Sequence, residues 1–91
     1  MMNDHDHDRP DTAALEKLAA ELGTRGFDTC LTTPEGRLPF LTVRNQEAAQ
    51  LTEMILADGG SFWWSWAERI TGVANTGGAA DAVARVLAAR G

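Results

Sequence analysis

All three tryptophans of this 91-residue chain stand in one stretch, Phe62-Trp63-Trp64-Ser65-Trp66-Ala67-Glu68. Aromatic residues favour strands, and the triplet Asp58-Gly59-Gly60 directly before the stretch is typical of a tight turn between two strands. We therefore predict a hairpin that pairs residues 50–57 with residues 61–68. This hairpin decides the fold, because the rest of the chain must cover the large rings that it carries.

The two faces of this predicted strand differ, because successive side chains of a strand point to opposite sides. One face carries Phe62, Trp64 and Trp66, and the other carries Trp63, Ser65 and Ala67. We predict that the wholly aromatic face fills the space between the sheet and alanine-rich helices, and so forms the core. The second face is left without a helix to cover it.

The chain before the tryptophan stretch predicts a helix followed by a first hairpin. Leucines recur at helical spacing between Pro10 and Gly23, which indicates a half-buried amphipathic helix. Residues 27–33 and 38–44 are strand-like and flank a Pro-Glu-Gly turn, so we predict an antiparallel pair. Local preference alone does not decide whether residues 45–57 form a strand or a helix. The predicted second hairpin favours a strand.

The chain after the tryptophan stretch predicts a loop over residues 71–78 and a C-terminal helix over residues 79–90. The predicted fold is therefore α+β, a four-stranded antiparallel sheet in α-β-β-β-β-α order with the N- and C-terminal helices packed on one face. We predict one domain, residues 10–91, preceded by a disordered acidic and histidine-containing tail over residues 1–9. Whether that tail binds a metal is left open.

Composition excludes several classes of function. The net charge is -5 with a single lysine, which argues against a nucleic-acid or anionic-membrane surface. No apolar run is long enough for a membrane span, and one cysteine cannot form an internal disulfide, so we expect a cytoplasmic protein. Both histidines stand in the tail and no nucleophile, metal-ligand or phosphate-loop motif occurs. We therefore expect no catalytic residues, no metal and no cofactor, and predict that the protein is not an enzyme.

Three smaller features carry open alternatives. Cys30 in a strand is either a small buried hydrophobic residue, which we favour, or a reactive thiol. Glu68 and Arg69 are candidate ligand or polar contacts, since Glu68 stands near Trp66, although an ordinary surface ion pair is the simpler interpretation. Gly72, Gly77 and Gly78 precede a helix and act either in an anion site or, as we favour, as loop and cap residues.

The run Gly60-Ser61-Phe62-Trp63-Trp64-Ser65-Trp66-Ala67-Glu68-Arg69-Ile70, set between a helix-plus-hairpin and an alanine-rich helix, resembles small actinobacterial proteins that share a tryptophan-rich WxWAE(R/P)I stretch. The resemblance covers residues from about 12 to the end. It implies the four-strand fold and a cytoplasmic location, but supplies no activity and no site, because the group has no assigned activity. Some members resemble accessory proteins encoded beside helix-turn-helix regulators.

Two functions follow as hypotheses. The first is a non-enzymatic interaction or regulatory accessory module that uses the open sheet face around Trp63, with Ser65 and Ala67, to bind a second copy of itself or a regulatory protein. The alternative within this hypothesis is that Trp63 is shielded by neighbours in its own sheet. The second function is a small-ligand-binding protein with a cavity between the helices and the tryptophan strand.

Overall fold

A computed structural model describes residues 10–88 of the chain. These residues form an α+β fold in which one antiparallel sheet has a helix before it and a helix after it in the chain. The elements are α1 (Pro10–Thr24), β1 (Phe27–Thr32), β2 (Phe40–Asn45), β3 (Ala48–Asp58), β4 (Ser61–Trp64), β5 (Arg69–Gly72) and α2 (Thr76–Val86). The predicted tail over residues 1–9 and the last predicted helical residue, Arg90, lie outside the described residues.

The sheet has five strands, so the prediction of four was wrong. Its order is β1-β2-β3-β4-β5, with every neighbouring pair antiparallel. The additional strand is β5, Arg69–Gly72. Its last two residues were predicted to belong to a loop over residues 71–78. Ile70 and Thr71 are β-branched residues, and β5 pairs with β4 across a bulge between Phe62 and Trp63.

The tryptophan strand ends earlier than predicted, because the chain reverses directly after Trp64. The Trp64 N–H donates to the carbonyl oxygen of Glu68 at 2.8 Å, and the Ala67 N–H donates to the carbonyl oxygen of Trp64 at 2.9 Å. Ala67 takes a φ of 69°, the left-handed region that favours glycine. No glycine, proline or asparagine marks this turn in the sequence, which is why residues 65–68 were predicted to continue the strand.

Both predicted hairpins form and residues 50–57 are a strand as predicted, but the second hairpin pairs only residues 55–58 with residues 61–64. Residues 48–58 form β3, and the turn at its end has a positive φ at both Gly59 and Gly60, as a tight hairpin turn requires. The C-terminal helix begins three residues earlier than predicted, at Thr76, and ends at Val86. Its first turn is capped by Asn75, whose side chain accepts from the Gly78 N–H at 3.1 Å.

Both helices pack on the same face of the sheet, as predicted. The core between them and the sheet consists of the apolar residues of α1 and α2 together with one face of β2, β3 and β4. Its residues with at most 1% exposure include Leu15, Leu18, Leu22, Leu41, Val43, Ile55, Phe62, Ala79, Val83 and Leu87. Phe62 and Trp64 belong to this core, as predicted, but Trp66 does not, since it is 49% exposed.

Candidate functional site

The candidate site is the sheet face that points away from the two helices, here called the open face. Register and strand alternation place on it, from β1 to β5, Asp28, Cys30, Thr32, Phe40, Thr42, Arg44, Thr52, Met54, Leu56, Asp58, Ser61, Trp63 and Arg69. Neither described helix packs on this side. The core residues of β2 and β3 alternate with the residues of the open face and point the other way, towards the helices. Neither described helix therefore covers the open face.

Apolar and polar side chains separate along the open face into rows that run across the strands. One row joins Thr32, Phe40, Leu56 and Trp63 as cross-strand neighbours, and the middle row joins Cys30, Thr42 and Met54. The third row joins Asp28, Arg44 and Thr52. A short fourth row, Asp58 and Ser61, follows on the far side of the apolar row. The open face is thus apolar and aromatic towards one end, where Asp58 and Ser61 form its edge, and charged and polar at the other end.

Leu38 extends the apolar end beyond the strands. It stands in the β1–β2 loop with 40% exposure and lines two shallow depressions, one with Phe40, Met54 and Leu56 and one with Leu56 and Trp63. Both depressions share Leu38 and Leu56, so they are continuous. We call this set the apolar patch: Leu38, Phe40, Met54, Leu56 and Trp63.

Trp63 is held in a fixed orientation within the apolar patch. Its indole N–H donates to the backbone carbonyl oxygen of Asp58 at 3.0 Å, and its backbone lies opposite Leu56 in the sheet. The ring is half-buried, so neighbouring side chains shield part of it and leave the rest open. The polar atom of the indole is satisfied inside the chain, and the exposed part of the ring is therefore apolar.

The other two residues predicted to bind a partner, Ser65 and Ala67, lie in the β4–β5 turn. Both are exposed and both line the same depression as Trp63. The structure therefore brings Trp63, Ser65 and Ala67 together at one place, although the last two come from a turn and not from the predicted strand. Their role in binding stays a prediction.

Glu68 and Arg69, the predicted polar contacts, form hydrogen bonds with different residues. The Glu68 carboxylate accepts from the indole N–H of Trp66 at 2.9 Å, whereas the Arg69 Nε–H donates to the Ser61 hydroxyl at 2.9 Å. Arg69 lies opposite Trp63 in the register and borders the apolar patch. The two side chains do not converge on a shared position, so they do not form a joint ligand site in this arrangement.

The charged end of the open face is organised by Asp28. Its carboxylate accepts from the Arg44 guanidinium at 2.7 Å and from the Gln46 amide at 2.9 Å. The hydrogen bond from Arg44, followed by that from Gln46, lowers the pKa of Asp28 from its ordinary value. Over the whole open face two aspartates, Asp28 and Asp58, are balanced by two arginines, Arg44 and Arg69.

Cys30 was predicted to be a buried hydrophobic residue, and this prediction was wrong. The side chain is exposed, because strand alternation puts it on the open face between Asp28 and Thr32. The described residues contain no group of three or more histidine, cysteine, aspartate or glutamate side chains suited to a metal ion. The cap interpretation of the glycines was correct for Gly78, whose N–H is already bonded to Asn75.

The region proposed for a small-ligand cavity, between the helices and the tryptophan strand, is occupied by the core. Phe62 on β4 and Ala79, Ala80 and Val83 on α2 have no exposed surface, and Trp64 is 6% exposed. The two depressions named above lie instead along the apolar patch. The small-ligand function stays a prediction that this packing does not favour.

Sequence reasoning missed four members of the apolar patch, Leu38, Phe40, Met54 and Leu56. Alternation within each strand was visible in the sequence, but the cross-strand register that joins these residues to Trp63 was not. No protein-family model matches the chain, and no curated protein or solved structure matches it either. Among the described residues, neither helix has the length and apolar character needed to cross a membrane.

Proposed function

We propose that the protein is a non-enzymatic interaction module whose open face binds a second copy of the chain. The observation that carries the proposal is the apolar patch, a contiguous group of five large side chains on a face that neither described helix covers. Contiguous exposed apolar surface on a small soluble protein is typical of an interaction site.

The charge of the open face supports a second copy as the occupant. The whole chain has a net charge of -5, which opposes close approach of two copies. The open face carries two aspartates and two arginines and is neutral. Two copies that meet through this face therefore bring no net charge of one sign into contact.

The size of the face sets the expected strength of association. Five strands about 4.8 Å apart and about six residues long cover roughly 500 Å², or about 1,000 Å² for two copies. Specific, stable interfaces bury about 1,200–2,000 Å², so the open face lies just below that range, among the weak and transient contacts. We therefore propose a reversible homodimer that dissociates on dilution, in the cytoplasm, where a regulatory protein with its own apolar surface would compete for the same face.

The test is sedimentation velocity of the full chain over a wide concentration range, with a pair of matched variants. Met54→Lys places a charge in the apolar patch, and Val86→Lys makes the same charge change on α2, away from the open face. The two side chains are similarly exposed, at 38% and 48%. Circular dichroism and thermal unfolding establish that both variants are folded.

We expect wild type and Val86→Lys to show the same concentration-dependent dimer, and Met54→Lys to weaken it by at least tenfold in Kd. A folded Met54→Lys that dimerises as wild type does would refute the use of the open face. A wild-type chain that stays monomeric at high concentration would refute self-association.

A further inference from the structure

β3 is longer than the strand that pairs with it on one side. It extends from Ala48 to Asp58, but β4 pairs with it only from Ile55 to Asp58. Before Ile55, the described strands adjoin β3 on the β2 side alone. We infer that the stretch from Gln50 to Met54, here called the β3 edge, binds an extended basic segment of another protein as an additional strand.

The backbone of the β3 edge is oriented for such pairing. Hydrogen-bonded and non-hydrogen-bonded pairs alternate along antiparallel strands, and the pair Asp58–Ser61, which closes the two-residue turn, is of the first kind. The alternation therefore directs the N–H and C=O groups of Met54 and Gln50 to the side that β4 has left. No hydrogen bond joins either residue to the β4–β5 turn. A segment that pairs there continues the line of β4 and bonds these groups.

Glu53 determines the charge that the segment must carry. Its side chain lies on the helix side of the sheet, because it alternates with Met54 of the open face and pairs with the buried Val43. Among the described residues, ion pairs are formed by Arg25 and Arg44, and none of them includes Glu53. An added strand would cover this carboxylate, which costs free energy unless the strand brings a cation. The segment therefore needs a basic residue opposite Glu53.

Trp66 adds an aromatic ring on the same side of the sheet. Trp64 lies opposite Ile55, and Trp66 and Glu53 each follow two residues further in the same direction. The Trp66 ring stacks on Trp64 and is 49% exposed, which leaves surface for a further contact. Glu68 accepts from the Trp66 indole N–H and is in no ion pair of the described residues. A guanidinium binds both aromatic rings and carboxylates, so these groups favour arginine over lysine.

A second copy of the chain does not offer the required cation on its long strands. The sequences of β1 and β3 contain no lysine or arginine; they are FDTCLT and AAQLTEMILAD. Arg69 of β5 lies on the open face, where its guanidinium already donates to Ser61. Pairing of β3 with β3 of a second copy would add like charge around Glu53. The net charge of -5 favours the approach of a basic segment of a different protein.

The test uses the full chain and two synthetic peptides that differ in one charge. Acetyl-Thr-Arg-Thr-Val-Thr-amide places arginine opposite Glu53 when its first threonine pairs with Met54, and the control peptide has glutamate in place of arginine. Binding is followed by NMR at low salt, with the backbone amides of residues 50–54 as the site and those of β1 as the other edge. We expect the arginine peptide to shift residues 50–54 and the Trp66 indole signal, and the glutamate peptide to bind at least tenfold more weakly.

Glu53→Arg should reverse the preference between the two peptides by at least tenfold. Glu35→Arg makes the same charge change at an exposed loop position and should keep the preference. An unchanged preference in a folded Glu53→Arg chain, or shifts centred on β1, would overturn the inference. The absence of saturable shifts at residues 50–54 with either peptide would overturn it too, and would show that Glu53 only protects the edge from pairing.

Hydrogen exchange of the chain without peptide provides a second check. Protection of the Gln50 and Met54 amides in a dilute monomeric sample would show that the β3 edge is already occupied, and would overturn the inference. The inference does not depend on the proposed function, because Glu53 lies on the helix side and not on the open face. Glu53→Arg should therefore dimerise as wild type does in sedimentation, and a monomeric wild type would refute the dimer without affecting the peptide experiment.

Discussion

Trp66 stacks on Trp64 with ring centroids 4.9 Å apart and ring planes 5° from parallel. Trp64 is buried in the core and Trp66 is about half exposed, so one ring anchors the other. The Trp66 N–H is bonded to Glu68, which fixes the outer ring from a second side. The β4–β5 turn, which contains no glycine, is thus stabilised by an aromatic pair and by its own backbone hydrogen bonds.

This relationship predicts that Trp66→Leu destabilises the fold while Trp66→Phe largely preserves it. Loss of the stacked pair costs about 0.5–1.5 kcal/mol beyond the loss of buried area, and phenylalanine retains a ring that stacks. Urea unfolding measures the difference in free energy. Equal stability of the two variants would show that the stack contributes nothing beyond apolar area.

The cap of α2 predicts different effects for two adjacent glycines, a gain in stability at Gly77 and little or no gain at Gly78. A Cβ on Gly77 meets nothing within 4 Å, so Gly77→Ala should stabilise the helix by about 0.5–1 kcal/mol. A Cβ on Gly78 would lie 2.7 Å from the Asn75 Cγ and closer still to the Asn75 Nδ2, so the capping side chain must move away. Gly78→Ala gains the same helix propensity but loses a cap that is worth about 1 kcal/mol.

Thermal and urea unfolding of the two variants provide the measurement, with Asn75→Ala as a third chain. Asn75→Ala should destabilise the wild type by about 1 kcal/mol and have little effect in the Gly78→Ala background, because the cap is already lost there. Additive effects of Asn75→Ala and Gly78→Ala would contradict this explanation.

The sequence was sufficient for the features that depend on local preference. Three local patterns each predicted one element correctly: the leucines of α1, the Gly59-Gly60 turn, and the alternation around Phe62 and Trp64. The failures around the tryptophan strand share a cause, which is a turn that no residue type marks in the sequence. Ala67 adopts a positive φ in a turn without turn residues, and that reversal moved Trp66 out of the core and created β5.

The candidate site was only partly predictable for a related reason. The position of Trp63 on a face away from the helices follows from alternation, which depends on the strand alone. Its neighbours Phe40, Met54 and Leu56 come from other strands, and their positions depend on register, which turn lengths and bulges set. Cys30 was misplaced because its residue type was given more weight than alternation, which places it on the same face as Asp28 and Thr32.

The strained backbone at Ala67 predicts a stabilising substitution. A non-glycine residue in the left-handed region costs about 1–2 kcal/mol, so Ala67→Gly should stabilise the chain by about 1 kcal/mol once glycine's greater unfolded entropy is subtracted. Ala74→Gly is the matched control, since Ala74 is exposed in a turn and has no positive φ. Urea unfolding should show opposite signs for the two changes, and destabilisation by both would contradict the strain at Ala67.

The Asp28–Arg44 pair predicts a dependence on pH at the polar end of the open face. Because the pKa of Asp28 is lowered in the folded chain, its contribution to stability is present above its unfolded pKa and is lost as the pH falls through the folded pKa. Arg44→Ala should raise the pKa of Asp28 more than Gln46→Ala does, since the Arg44 hydrogen bond is the larger cause. An NMR titration of the Asp28 carboxyl carbon measures all three chains.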